Sequence, residues 1–190
     1  MVVETNIGWN GWRIARWTAG ALLLLTPLAM MQLSSEWNWN AGSFVFAGVM
    51  IGGVLLLYDR ATLVSPSFAY RGGVIVALAV SFLLVWVNVA VGIVGSEDNP
   101  VNLSFFMLVL IAAIGAFSAG FRPAGMARAM LGTAGVQMLL ALVIGTAPST
   151  QRDPAGVVGL VILSAFFAAL WLTAAALFRH AAKTAEVRAD

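Results

Sequence analysis

Six apolar runs, each close to the roughly 20 residues that cross a bilayer core, constrain this chain more than any other feature. They cover about 13–34, 41–58, 72–94, 102–120, 124–146 and 156–178. A backbone in hydrocarbon has no water to satisfy its N–H and C=O groups, so runs of this length fold as helices. The expectation is an all-α, polytopic transmembrane six-helix bundle. It forms one domain over 1–183, followed by a charged cytoplasmic tail at 184–190. Composition removes the water-soluble alternative. Charged residues make up 9% of the chain, against roughly 25% in a soluble domain.

The connections alternate in charge. Arg13, Arg16, Arg60, Arg71, Arg122, Arg128, Arg179, Lys183 and Arg188 fall on one side, and only Arg152 falls on the other. The positive-inside rule then puts both termini of a multi-pass membrane protein in the cytoplasm. Glu36, Glu97, Asp98 and Asp153 face outward. Trp9, Trp12, Arg13, Arg16 and Trp17 read as an anchor in the inner leaflet, with Trp37 and Trp39 in the same role outside. The first run is long enough to span and no A-x-A site follows it, so it reads as a helix and not as a signal peptide.

Because the basic residues sit at helix ends, the formal charge of +2 does not point to nucleic acid. The partners expected are membrane lipids and either other membrane subunits or a second copy of the chain.

Three tandem hairpins are one organisation of the six runs. Each opens on arginine and closes on an aromatic, arginine and alanine: "YDRA" at 58–61, "FRPA" at 121–124 and "FRHA" at 178–181. Spanning helices in general end in aromatics and snorkelling arginines, so the same pattern also arises without repetition.

Missing residue types narrow the chemistry. There is no cysteine, and the single histidine, His180, and single lysine, Lys183, both lie after the last run. Thiolate nucleophiles, haem ligation by intramembrane histidines and a buried Schiff-base lysine all lack their residue. No carboxylate, arginine or histidine lies near the middle of a run, which argues against proton pumping. No catalytic residue and no metal site is expected. The residues call for no cofactor, although a lipid, quinone or carotenoid held by apolar packing would leave no mark in composition.

The polar residues that remain are few. On a continuous helix Ser81, Asn88, Gly92 and Gly95 share one small, polar face suited to a neighbouring helix. Asn88 serves there either as interhelical glue or as a pore or ligand group. Gln137, one turn beyond Thr133, gives the fifth helix a second polar stripe, and the two amides line a path for a small neutral solute if they converge. The "SEDNPVN" connection supplies Glu97, Asp98, Asn99 and Asn102. Asn99-Pro100 has the form of a helix start, with the carboxylates at the positive end of the helix dipole. The same four residues could instead hold a cation at an outer mouth. Gly48 and Gly52 form a close-approach pattern on the second helix, and Pro27 is set to bend the first.

Six helices with cytoplasmic ends also describe aquaporins, but the places for their Asn-Pro-Ala motifs hold Ser65-Pro66-Ser67 and Asp153-Pro154-Ala155. The Asn-Pro-Ala-Pro-Leu-Gly signature of acetate channels is absent too, and nothing resembles the urea channels. The first hairpin, through Arg16-Trp17, Thr26-Pro27 and Glu36-Trp37-Asn38-Trp39, resembles small bacterial membrane proteins of the SPW-repeat type. Its core reads Thr26-Pro27-Leu28 where that type has Ser-Pro-Trp. The resemblance implies a bacterial membrane protein without an established activity, and it transfers no functional residue.

The sequence therefore points first to a non-catalytic accessory or scaffolding subunit that acts through helix contacts. A passive channel or transporter for a small solute or cation stands second. A membrane enzyme using Glu97 or Asp98 at the outer interface stands third.

Overall fold

The computed structural model describes residues 11–148, 150 and 154–187. The helices are α1 (Gly11–Leu33), α2 (Ala41–Val64), α3 (Phe68–Ala90), α4 (Leu103–Ser118), α5 (Pro123–Gly145) and α6 (Pro154–Val187), with one 3-10 turn at Pro100–Asn102. All six spans are long and apolar enough to cross a membrane, α4 together with its 3-10 turn. The chain is an all-α, multi-pass integral membrane protein.

Several boundaries depart from the apolar runs, each for a physical reason. α2 continues past 58 to Val64, so Asp59 and Arg60 lie inside its last two turns. Pro66 then disfavours helical geometry at the residue before it. α3 begins at Phe68, earlier than the expected 72, because the extended Ser67 caps it and accepts the Tyr70 N–H at 3.4 Å. α3 stops at Ala90 instead of 94. The N–H groups of Val91 and Gly92 both donate to the Val87 carbonyl at 3.0 Å, and Gly92 turns left-handed at φ +74°. A Cβ at Gly92 would lie 2.6 Å from the Ser96 carbonyl oxygen, so glycine ends the helix here.

α6 runs on through the expected tail as far as Val187. Alanine and other good helix formers after 178 favour this. Its 34 residues make about 51 Å at 1.5 Å per residue, well beyond a hydrocarbon core of about 30 Å.

The chain divides into two compact units, 1–60 and 61–190. In the first, α1 meets α2 through long side chains. A Cβ at Gly20 would lie 2.8 Å from Leu55 Cδ1 and 3.1 Å from Ile51 Cγ2, and one at Gly48 would lie 3.6 Å from Leu24 Cδ2. Pro27 is buried inside α1.

In the second unit each of α3 to α6 packs on two neighbours: α5 on α6, α3 on α6, α4 on α5, and α3 on α4. Short connections make neighbours antiparallel, so the four helices form a closed up-and-down ring. Buried residues on α5 recur at steps of three and four, through Met126, Met130, Thr133, Gln137, Ala141 and Ile144. That spacing lays one stripe along the inside of the ring.

Glycine and alanine let α4 and α5 approach closely. A Cβ at Gly115 would lie 2.8 Å from Ala129 Cβ, and one at Gly125 would lie 2.5 Å from Ala119 Cβ. The turn between these helices carries Gly120 and Phe121 in left-handed geometry, φ 56° and 57°. The Phe121 carbonyl accepts the Tyr70 hydroxyl at 2.8 Å, and the Tyr70 ring meets the Phe178 ring edge-on at 5.3 Å. This is the basic end of the ring: Arg71 and Arg128 lie in the first two turns of α3 and α5, Arg122 precedes α5, and Arg179 lies along the last third of α6. Glu97 and Asp98 mark the opposite, acidic end.

Candidate functional site

Lipid-facing helices leave few places for polarity, so each buried polar side chain in the second unit needs an account. Asn88, Asn102, Thr133, Gln137 and Ser164 are all buried there, the last three completely. The contacts between helices bring three of them to a common depth. Gly73 faces the Phe178 ring and Gly72 faces Leu177. Counting equal steps along these antiparallel helices sets Asn88 level with about residue 163 of α6. Gly145 faces Leu160, which sets Gln137 within about one turn of Ser164. The α4–α5 contacts at Gly115 and Gly125 bring the buried Leu108 to the same height. By this count Asn88, Leu108, Gln137 and Ser164, one residue from each helix of the ring, fall in a layer about two helical turns deep.

Among the described residues, the hydrogen-bond state of the layer is uneven. Thr133, one turn from Gln137, donates to the Ala129 carbonyl at 3.0 Å. Asn88 Nδ2 donates to the Leu84 carbonyl at 2.6 Å, but its Oδ1 is buried without a partner. Neither Oε1 nor Nε2 of Gln137 has a partner, and neither does Ser164 Oγ. Trp171 lies two turns from Ser164 on the same face of α6, fully buried, with its indole Nε1 also unpartnered. Helical side chains lean toward the N-terminus of their helix, so the Trp171 ring leans toward the layer. A buried polar group left unmet costs roughly 1–3 kcal/mol. These groups are neutral, supply both donors and acceptors, and cannot act as general acids or bases near neutral pH.

The polar connection resolves differently. Asn99 Oδ1 accepts the Val101 N–H at 3.0 Å and Pro100 takes the first turn position, as its sequence suggested. The helix started there is a single 3-10 turn leading into α4. Asn102 is buried and saturated. Its Oδ1 accepts from the Ile93 and Val94 N–H groups at 3.1 and 2.9 Å. Its Nδ2 donates to the Ser96 carbonyl at 2.8 Å and the Val94 carbonyl at 3.4 Å. It holds the loop from 91 to 99 and has no hydrogen-bonding capacity left for a ligand. Glu97 and Asp98 are exposed on that loop, outside the buried layer.

The expected face of Ser81, Asn88, Gly92 and Gly95 does not exist as one helical surface. Gly92 and Gly95 lie beyond the end of α3 with φ +74° and +69°, so they shape the loop and do not pack helices. Ser81 is partly buried and donates to its own Ala77 carbonyl at 2.8 Å. On α2, Gly48 faces Leu24, whereas a Cβ at Gly52 would meet nothing within 4 Å among the described residues.

In the first unit the anchor residues do more than sit at an interface. Arg16 Nη2 donates to Asp59 Oδ1 at 2.7 Å, and Trp17 Nε1 donates to Oδ2 at 3.0 Å. Arg13 Nε lies 2.8 Å from Oδ2, an ion pair without hydrogen-bond alignment. The Arg16 guanidinium also stands over the Tyr58 ring at 4.9 Å. The Asp59 side chain is 10% exposed, so this carboxylate binds the start of α1 to the end of α2. Sequence reading assigned Asp59 no role. Its signal was a carboxylate directly after an apolar run, on the side that carries the arginines.

Trp12 is 78% exposed and Trp37 38% exposed, and Trp39 meets Phe44 edge-on at 5.3 Å. Trp9 lies outside the described residues. No group of three or more His, Cys, Asp or Glu side chains stands close enough to hold a metal among the described residues. No protein-family model matches the chain, and no curated protein or solved structure shows significant similarity to it.

Proposed function

We infer that this chain is a non-catalytic membrane protein that works through helix contacts, as an accessory or scaffolding subunit of a bacterial cytoplasmic membrane. The positive-inside distribution of its arginines supports both termini lying in the cytoplasm. The observation that carries the reading is how little α1 and α2 bury against each other. The spanning windows of α1 and α2 are 11% and 6% buried within the chain, against 28–33% for α3 to α6. A hairpin that buries so little of itself, with its charges tied together at one end, suits a surface laid against other helices.

Photo-crosslinking residues at Leu23 and Val49, compared with Leu139 on the ring, test this in native membranes. All three are large apolar positions exposed in the chain. The expected result is protein adducts at Leu23 or Val49 and lipid adducts at Leu139, with adduct mass separating self-association from a second subunit. Lipid adducts at all three positions would remove the reading. A passive path for a small uncharged solute is the second reading, favoured by the neutral layer inside the ring.

A further inference from the structure

We propose that the basic end of the ring binds the headgroup of an anionic phospholipid, through Arg71, Arg122 and Arg179 gathered there by one aromatic cluster. Each of these arginines directly follows a member of that cluster: Tyr70, Phe121 or Phe178. The Tyr70 hydroxyl donates to the Phe121 carbonyl at 2.8 Å, and its ring meets the Phe178 ring at 5.3 Å. Consecutive Cα atoms are about 3.8 Å apart. All three arginines therefore start one step from a single contact cluster built from three distant parts of the chain.

Their charge is left unpaired. Among the described residues none of the three makes an ion pair or a side-chain hydrogen bond, whereas Arg13 and Arg16 share Asp59. Glu97 and Asp98 stand at the opposite end of the ring. Glu186 lies beyond Lys183 on α6, about 10 Å along the axis from Arg179. A zwitterionic headgroup brings its own cation, which the arginines repel, so the patch selects a lipid of net negative charge.

Exposed apolar side chains continue the surface toward the membrane middle. Ile75, four residues past Arg71, and Leu172, seven before Arg179, are exposed on the same helix faces as those arginines. Phe117, exposed on α4, meets the Phe121 ring edge-on at 5.1 Å. One surface thus meets both a charged head and an acyl chain, which suits an amphiphile and not a water-soluble anion. The scaffold reading rests on α1 and α2 and this site on the ring, so either can fail alone.

The test titrates the full chain in detergent with phosphatidylglycerol and then with phosphatidylcholine of the same acyl chains, counting bound lipids by native mass spectrometry. The expected affinity for phosphatidylglycerol is at least about fivefold higher, the effect of one basic residue at an anionic surface. Arg122→Gln combined with Arg179→Gln should bring the two lipids within about twofold, whereas Arg60→Gln, in the first unit, should leave the preference intact. Arg122 and Arg179 are exposed, so the double variant should melt with the parent. If it fails to fold, the parent carries the test: raising ammonium acetate from about 0.1 M to about 1 M should erase the preference by screening. Equal affinity for the two lipids, or a preference that survives the double substitution or the salt, overturns the proposal. An equal loss in Arg60→Gln also overturns it and assigns the preference to diffuse charge at the membrane face. So does displacement of phosphatidylglycerol by glycerol 3-phosphate at equal concentration, which would make the patch a site for a water-soluble anion.

Discussion

The two units handle polarity in opposite ways. Between α1 and α2 the polar groups are charged, lie near helix ends and are paired: Asp59 takes Arg13, Arg16 and Trp17. Inside α3 to α6 they are neutral, lie deeper and are partly unmet: Gln137, Ser164 and one oxygen of Asn88. Desolvation explains the division. A guanidinium near a helix end keeps part of its surface in water, and Arg13 and Arg16 remain 20% and 32% exposed. At the depth of Gln137 no such retreat exists, and only neutral groups are tolerable. Packing differs at one contact: the glycines of the hairpin meet long side chains, whereas α4 meets α5 through glycine and alanine.

The largest expected effect tests the ring's loop. Asn102→Ala leaves the Ile93 and Val94 N–H groups unmet in a buried turn and should cost about 2–4 kcal/mol, from four hydrogen bonds of about 1 kcal/mol each. Hydrogen exchange across residues 91–99 should rise sharply while α1 and α2 stay protected. Equal loss of protection in both units would break the division between them.

Asp59→Ala should be next, at about 2–3 kcal/mol. That is below the roughly 3–5 kcal/mol of a fully buried broken pair because the arginines keep some water. Labels on the Arg13 end of α1 and the Asp59 end of α2 should move apart, while the α5–α6 distance holds.

The smallest effect compares two glycines. Gly115→Ala should destabilise by about 1–3 kcal/mol through overpacking against Ala129. Gly52→Ala should change stability by less than about 0.5 kcal/mol, because its site is open. Equal costs in reversible unfolding would show that α2 is packed as tightly as the ring.

Some of this was legible in the residues themselves. Asn99-Pro100 announced a helix start, and the structure places a cap there, because capping depends only on neighbours a few positions away. Asn88 and Gln137 stood out as lone amides in apolar runs. Ser164 and Trp171 did not, since serine and tryptophan are ordinary in such helices until their partners prove to be missing. Gly92 looked like part of a helical face because helical spacing assumes a continuous helix, and its own left-handed geometry ends that helix. Of Gly48-x-x-x-Gly52, Gly48 faces Leu24, whereas the tighter approaches at Gly115 and Gly125 carried no mark in the spacing. Spacing within one helix carries no record of which neighbour comes near.

The amino-acid order alone determined the helical class and the number and rough extent of the membrane spans, because backbone satisfaction in hydrocarbon and charge at helix ends are local demands. Only the tertiary structure decided that Asp59 ties α1 to α2, that α3 to α6 close into one ring, and that Asn88, Gln137 and Ser164 are all buried within it. Those outcomes depend on register between helices far apart in the chain. Register is set by shape at a few contacts, such as Gly73 on Phe178 and Gly115 on Ala129, and a periodic apolar pattern fits several registers equally well.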